Sequence, residues 1–143
     1  MTRLDRAILA QLNAFRAAHG VHALRLSRQL DAAASQHSHE MVADGYFGHD
    51  SADGTSATQR IESYYPRGSH KHWAVGENLL WASPSISAAA ALRVWASSPE
   101  HLRNLLDPRW RRIGVSAVHA SSAPGVYGGR PVTVITTDFG FRR

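Results

Sequence analysis

Leu4, Ile8, Leu12 and Phe15 recur every three or four residues, which draws one apolar stripe and predicts a helix closed by His19-Gly20. Ser27 is a good N-cap for a second helix, whose inward face carries Leu30, Ala33, Ala34, His37 and Met41 and which Gly45 ends. Gly48, Asp50, Asp53 and Gly54 make the stretch from Tyr46 to Thr55 a loop. Ser56 to Tyr64 reads as a short helix closed by Pro66, and Arg67 to His72 as a polar turn. Val75 to Trp81 reads as a strand interrupted by the polar Glu77 and Asn78. Ser85 or Ser87 caps an alanine-rich helix running to Trp95, and Ser98-Pro99 starts another that ends at Asp107-Pro108. Ile113, Val115 and Ala117 alternate with polar residues, as do Val132 and Val134 around Thr133. These two runs predict a hairpin across the Gly-rich segment Ser121 to Arg130. Helices, a strand, more helix and a hairpin do not alternate as βαβ. The expected class is α+β, one domain over residues 1–143, with an antiparallel sheet between helical layers.

Composition narrows the function classes. The chain has no cysteine, which excludes a disulfide scaffold, thiolate zinc or iron–sulfur sites and a cysteine nucleophile. Apolar residues at 43% and charged residues at 19% are globular proportions. Sixteen basic residues, of which only Lys71 is lysine, against 11 acidic ones give a formal charge of +5. A basic chain suits nucleic acid, an anionic membrane surface or an anionic wall polymer. Aromatic and basic residues are not interleaved as in RNA-binding motifs, which argues against nucleic acid. Arg109, Arg111, Arg112, Arg142 and Arg143 form a basic cluster only if the fold gathers them. No apolar run approaches the roughly 18 residues of a membrane span. The opening Met1 to Arg6 reads as the start of a helix rather than as a secretory leader, and a trimmed leader is compatible with it.

The common catalytic strings are missing: no phosphate loop, no dinucleotide fingerprint and no GxSxG elbow. His39-Glu40 begins like a zinc-protease helix, but Ala43 stands where the second histidine is needed. Nine histidines nevertheless invite a metal or acid–base reading. His37 and His39 point about 200° apart on a helix and cannot share an ion. His37 reads as a core-rim histidine bonded to backbone; His19, His22, His39 and His119 read as surface. His70 and His72 can chelate from a loop or simply be solvated. Trp81, Trp95 and Trp110 read as core, Asn78 as a turn-fixing amide and Asn104 as a backbone partner. His49 in a loop, Glu77 in an apolar strand and His101 in the first turn of a helix remain. Two imidazoles and a carboxylate can hold a divalent ion with an open position, or act as acid and base. Glu77 reads equally as a buried structural carboxylate.

Taken together, the local strings carry more. They are Gly45-Tyr46-Phe47-Gly48-His49-Asp50, Gly76-Glu77-Asn78-Leu79, Trp95-Ala96-Ser97-Ser98-Pro99-Glu100-His101, Asn104-Leu105-Leu106-Asp107-Pro108, Trp110-Arg111-Arg112-Ile113-Gly114 and Thr137-Asp138-Phe139-Gly140. In this order they resemble the CAP superfamily, the SCP-like domain of cysteine-rich secretory proteins, antigen 5 and pathogenesis-related proteins. The likeness is to the compact bacterial, YkwD-like branch. The resemblance implies a three-layer α–β–α sandwich and a secreted or cell-envelope location. It also implies a cleft whose two histidines and two acidic residues bind a divalent cation, commonly zinc. His49, His101 and Glu77 look like three of the four. Ser98 stands where eukaryotic members carry the second glutamate, with Glu100 nearby, and Asn78 completes the candidate cleft. Leu102 follows His101 where bacterial members usually have arginine. Two functions are compatible with the resemblance. One is a binding module whose cleft takes a divalent cation or a small, possibly lipid-like ligand. The other is an envelope hydrolase in which Glu77 and His101 are the acid–base pair. A third reading, from charge alone, is a basic binder of wall polymer or nucleic acid in which the histidines are incidental.

Overall fold

A computed structural model describes all residues from Met1 to Arg143. Helix α1 (Arg3–Ala18) is started by a capping box in which Thr2 and Asp5 each bond the other's backbone N–H. Strand β1 (Arg25–Leu26) is only two residues long. Helix α2 (Arg28–Asp44) is capped by the Ser27 hydroxyl and closed by Gly45 at φ 71°. Helix α3 (Ala57–Tyr64) has its own capping box from Ser56 and Gln59. Strand β2 (Trp73–Ala82), helices α4 (Ala88–Ala96) and α5 (Pro99–Leu106), and strands β3 (Arg112–Ala120) and β4 (Val132–Arg142) follow. Ser87 rather than Ser85 caps α4.

The sheet order is β1-β3-β4-β2. The β2–β4 and β3–β4 pairs are antiparallel, as expected, while the short β1 adds a parallel edge beside β3. β4 lies between two neighbours and under helices on both faces, so Val132 to Gly140 are buried without alternation. One face packs Ile113, Val115, Ile135 and Phe139 against α1, α4 and α5 through Ile8, Leu12, Trp95 and Leu105. The other carries two smaller clusters against α2 and α3, around Met41 with Leu79 and Val134, and around Leu30 with Ile61 and Tyr65. The result is the expected helix–sheet–helix sandwich. Beyond β1, the outer N–H groups of β3 have no strand to pair with. Asp31 accepts from Val115 at 3.2 Å and Asp5 from Ala117 at 2.8 Å, which satisfies the edge with side chains.

Candidate functional site

The alternation of β2 decides what its residues face. Val75, Glu77 and Leu79 point to the α2/α3 layer, while Gly76 and Asn78 point to α5. Glu77 therefore enters the interior at a charged residue, with its side chain 2% exposed. Arg60 of α3, equally buried, donates to its Oε2, and His49 Nδ1 lies 2.8 Å from Oε1. The same guanidinium donates to the His49 carbonyl at 2.9 Å, so Arg60 holds both the carboxylate and the loop that carries the imidazole. On α2, buried His37 donates from Nε2 to the Gly48 carbonyl at 2.8 Å, the backbone-bonded role expected of it, and lies 3.9 Å from Glu77.

Asp138 sits directly across the ladder from Glu77 and is fully buried. No N–H or hydroxyl reaches its oxygens, and its neighbour is the Glu77 carboxyl. Two buried carboxylates this close do not both ionise. Burial, then the charge of Glu77, hold Asp138 protonated well above the usual carboxyl range. Glu77 takes the other fate. Burial raises it, but bonds from His49 and Asp138 and the charge of Arg60 outweigh that, and it stays ionised.

His49 presents an imidazole whose side chain is 56% exposed although its Nδ1 is anchored below. The bond to Glu77 raises its pKa against the opposing effect of burial. His101 reaches β2 from the other face, where Asn78 donates to its carbonyl at 3.0 Å. Its pKa is lowered, first by burial and then by the charge of His49, so the two imidazoles sense each other across the strand edge. His101 Nδ1 is buried without a partner.

The remaining candidates are placed differently. Asn78 is wholly buried within a strand, not a turn, and ties β2 to α5 together with Asn104, which donates to the Glu77 carbonyl and the Asn78 side chain. Ser98 starts α5 without a capping bond from its hydroxyl. Glu100 is exposed and acts on His101 only through its charge. No three His, Asp or Glu side chains converge as an ion's ligand set. Both Glu77 oxygens are committed in this arrangement, Oε2 to Arg60 and Oε1 to His49. Arg60 and Asp138 complete the centre, and sequence reasoning does not single them out as site residues. Arg60 is legible as a charge on the inward stripe of a helix, three residues after Ala57 and beside Ile61.

The family model of the cysteine-rich secretory protein (CAP) family matches residues 9–135. The chain belongs to the CAP family. It is 25% identical over 118 residues to YkwD of Bacillus subtilis, covering 82% of this chain and 44% of that protein. The crystal structure of an extracellular protein containing an SCP domain from Bacillus anthracis superposes with a TM-score of 0.72 at 26% identity, over 96% of this chain and 40% of that one. This CAP domain thus spans less than half the length of either Bacillus relative. An outer surface protein of Borrelia burgdorferi shares the fold end to end, with a TM-score of 0.77, 19% identity and coverage of 100% of this chain and 96% of that one. No helix of this domain is long and apolar enough to cross a membrane.

Proposed function

We propose that this CAP domain acts outside the cell as a binding module, taking a small polar ligand at the His49–His101 edge of β2 without a resident metal. The observation that carries the reading is the half-exposed His49 ring, fixed through Nδ1 to the buried, Arg60-clamped Glu77. A ring held this way presents Nε2 outward at little entropic cost on binding. The two imidazoles differ in charge tendency. His49 is pushed towards the cationic form by Glu77, and His101 towards the neutral form by burial. Together they match a ligand with one anionic or carbonyl acceptor and one donor. The extracellular setting is supported by the likeness to the extracellular Bacillus anthracis protein.

Calorimetric titration with zinc separates this from a divalent-cation site. Wild type and His49→Ala/His101→Ala should show the same weak heat; micromolar zinc binding lost in the double variant would establish the metal site instead. The Glu77–His49 pair also supports a second reading, hydrolysis of an envelope polymer. A buried carboxylate on Nδ1 leaves Nε2 free to take a proton from water. In that reading His49 is the base, Glu77 orients it, and His101 supplies the proton. Turnover of purified peptidoglycan that disappears in His49→Ala would decide for it.

A further inference from the structure

A groove of about 740 Å³ opens where the starts of β1 and β3 meet the end of β4. Its walls carry Arg25, Arg111, Arg112, Arg142, His22 and His70, and no Asp or Glu. The ion pairs of the chain fall on Glu77 and Asp107, so none of these guanidinium groups is neutralised. Arg25 and Arg112 are direct register partners on neighbouring strands, an arrangement that costs stability for like charges. Arg142 lies over the Tyr65 ring at 4.1 Å and donates to the Pro66 carbonyl and Gln29 Oε1. Arg111 donates to the carbonyls of Pro108, Arg109 and Trp110. Neutral partners thus hold two of the four arginines in place while leaving their charge unspent.

We propose that this groove is a second binding site, for a flexible phosphodiester chain of the sugar- or polyol-phosphate kind. Guanidinium forks match phosphate oxygens, and several fixed along one groove match charges repeated along a polymer. The volume lies within the usual range for ligand sites. Nucleic acid fits less well. Apart from imidazoles, the only ring in the wall is Tyr65, which lies buried beneath Arg142 and offers no face for a base. A membrane lipid also fits less well, because the apolar lining is Ala23 and Tyr65 alone. The groove shares no residue with the His49–His101 edge, so its occupancy is independent of the ligand proposed there.

The test is fluorescence anisotropy of the full chain with a labelled poly(glycerol phosphate) oligomer, from about 50 to about 200 mM salt. Wild type should bind with a steep salt dependence. Arg25→Gln/Arg112→Gln should weaken binding about tenfold or more and flatten the log–log salt slope by about 1.5, near 0.7–0.9 for each phosphate no longer neutralised. Arg3→Gln/Arg93→Gln, which alters exposed arginines outside the groove, should bind like wild type, as should His49→Ala. Equal losses in both arginine pairs would reduce the effect to net charge and overturn the site. Tighter binding of single-stranded DNA of the same charge, or of anionic phospholipid vesicles, through the same two arginines would overturn the ligand class. Both Arg25 and Arg112 are exposed, so a folded double variant is expected, and its circular dichroism melt checks this.

Discussion

Arg60 and Glu77 show how a charge inside a protein becomes tolerable. Each is almost wholly buried, each is the other's counter-ion, and Asp138 avoids a third charge by keeping its proton. Removing one partner strands the other. Arg60→Met should cost about 3–5 kcal/mol in urea unfolding, and adding Glu77→Gln to it should restore part of the loss. A single-variant loss below about 1 kcal/mol would mean the pair is incidental. The two imidazoles, His49 half-exposed and His101 partly buried, allow a second check. His49 should titrate above, and His101 below, the ordinary value of 6.5 in an NMR pH series. His49 holds its proton more tightly folded than unfolded, so its contribution to stability is complete below 6.5 and fades as pH rises through its higher folded value. His101 has the opposite sign: stability is lost as pH falls from 6.5 through its lower folded value. If His101 titrates above His49, the assignment of donor and acceptor in the cleft is wrong.

At the scale of elements, the helices are legible in the sequence because their caps and stripes are local. Ser27, Ser56 and Ser87 cap where polar residues precede apolar periodicity. The sheet is legible only in part. The central β4 is covered on both faces, so Thr136 to Asp138 are buried despite their polarity and offer no alternation to read. β1 is too short, at two residues, for any pattern. The centre around Glu77 is half legible for the same reason. Glu77 and Arg60 each stand as a charge on an inward face, but nothing local states that a helix and a strand 17 positions apart will join them. The crossing of α2 over the sheet gives an element-scale prediction. A Cβ on Gly114 would stand 2.1 Å from the Leu30 backbone, where neither segment can yield without moving α2. Gly114→Ala should therefore destabilise by about 3 kcal/mol or more and lower the urea midpoint. A loss within about 0.5 kcal/mol would show that the helix shifts freely.

Across the whole molecule, the positive charge is not evenly spread. Of the terminal arginines, Arg111, Arg112 and Arg142 gather with Arg25 round one groove, while Arg109 pairs with Asp107 and Arg143 lies over Phe141. Self-repulsion concentrated in this way should make the melting temperature rise with salt, because screening weakens it over about 10 Å at 0.1 M. Sodium chloride alone would then stabilise wild type more than Arg25→Gln/Arg112→Gln, which has less repulsion to screen. Phosphate at the same ionic strength adds two further effects. Its exclusion from protein surface stabilises both proteins alike, whereas binding to the groove stabilises only the one whose guanidinium pair is intact. The informative quantity is therefore the phosphate-minus-chloride difference in melting temperature, compared between the two proteins. A difference larger in wild type fits an anion held between strands β1 and β3. Equal differences would leave the like-charged pair as an uncompensated cost with no anion to explain it.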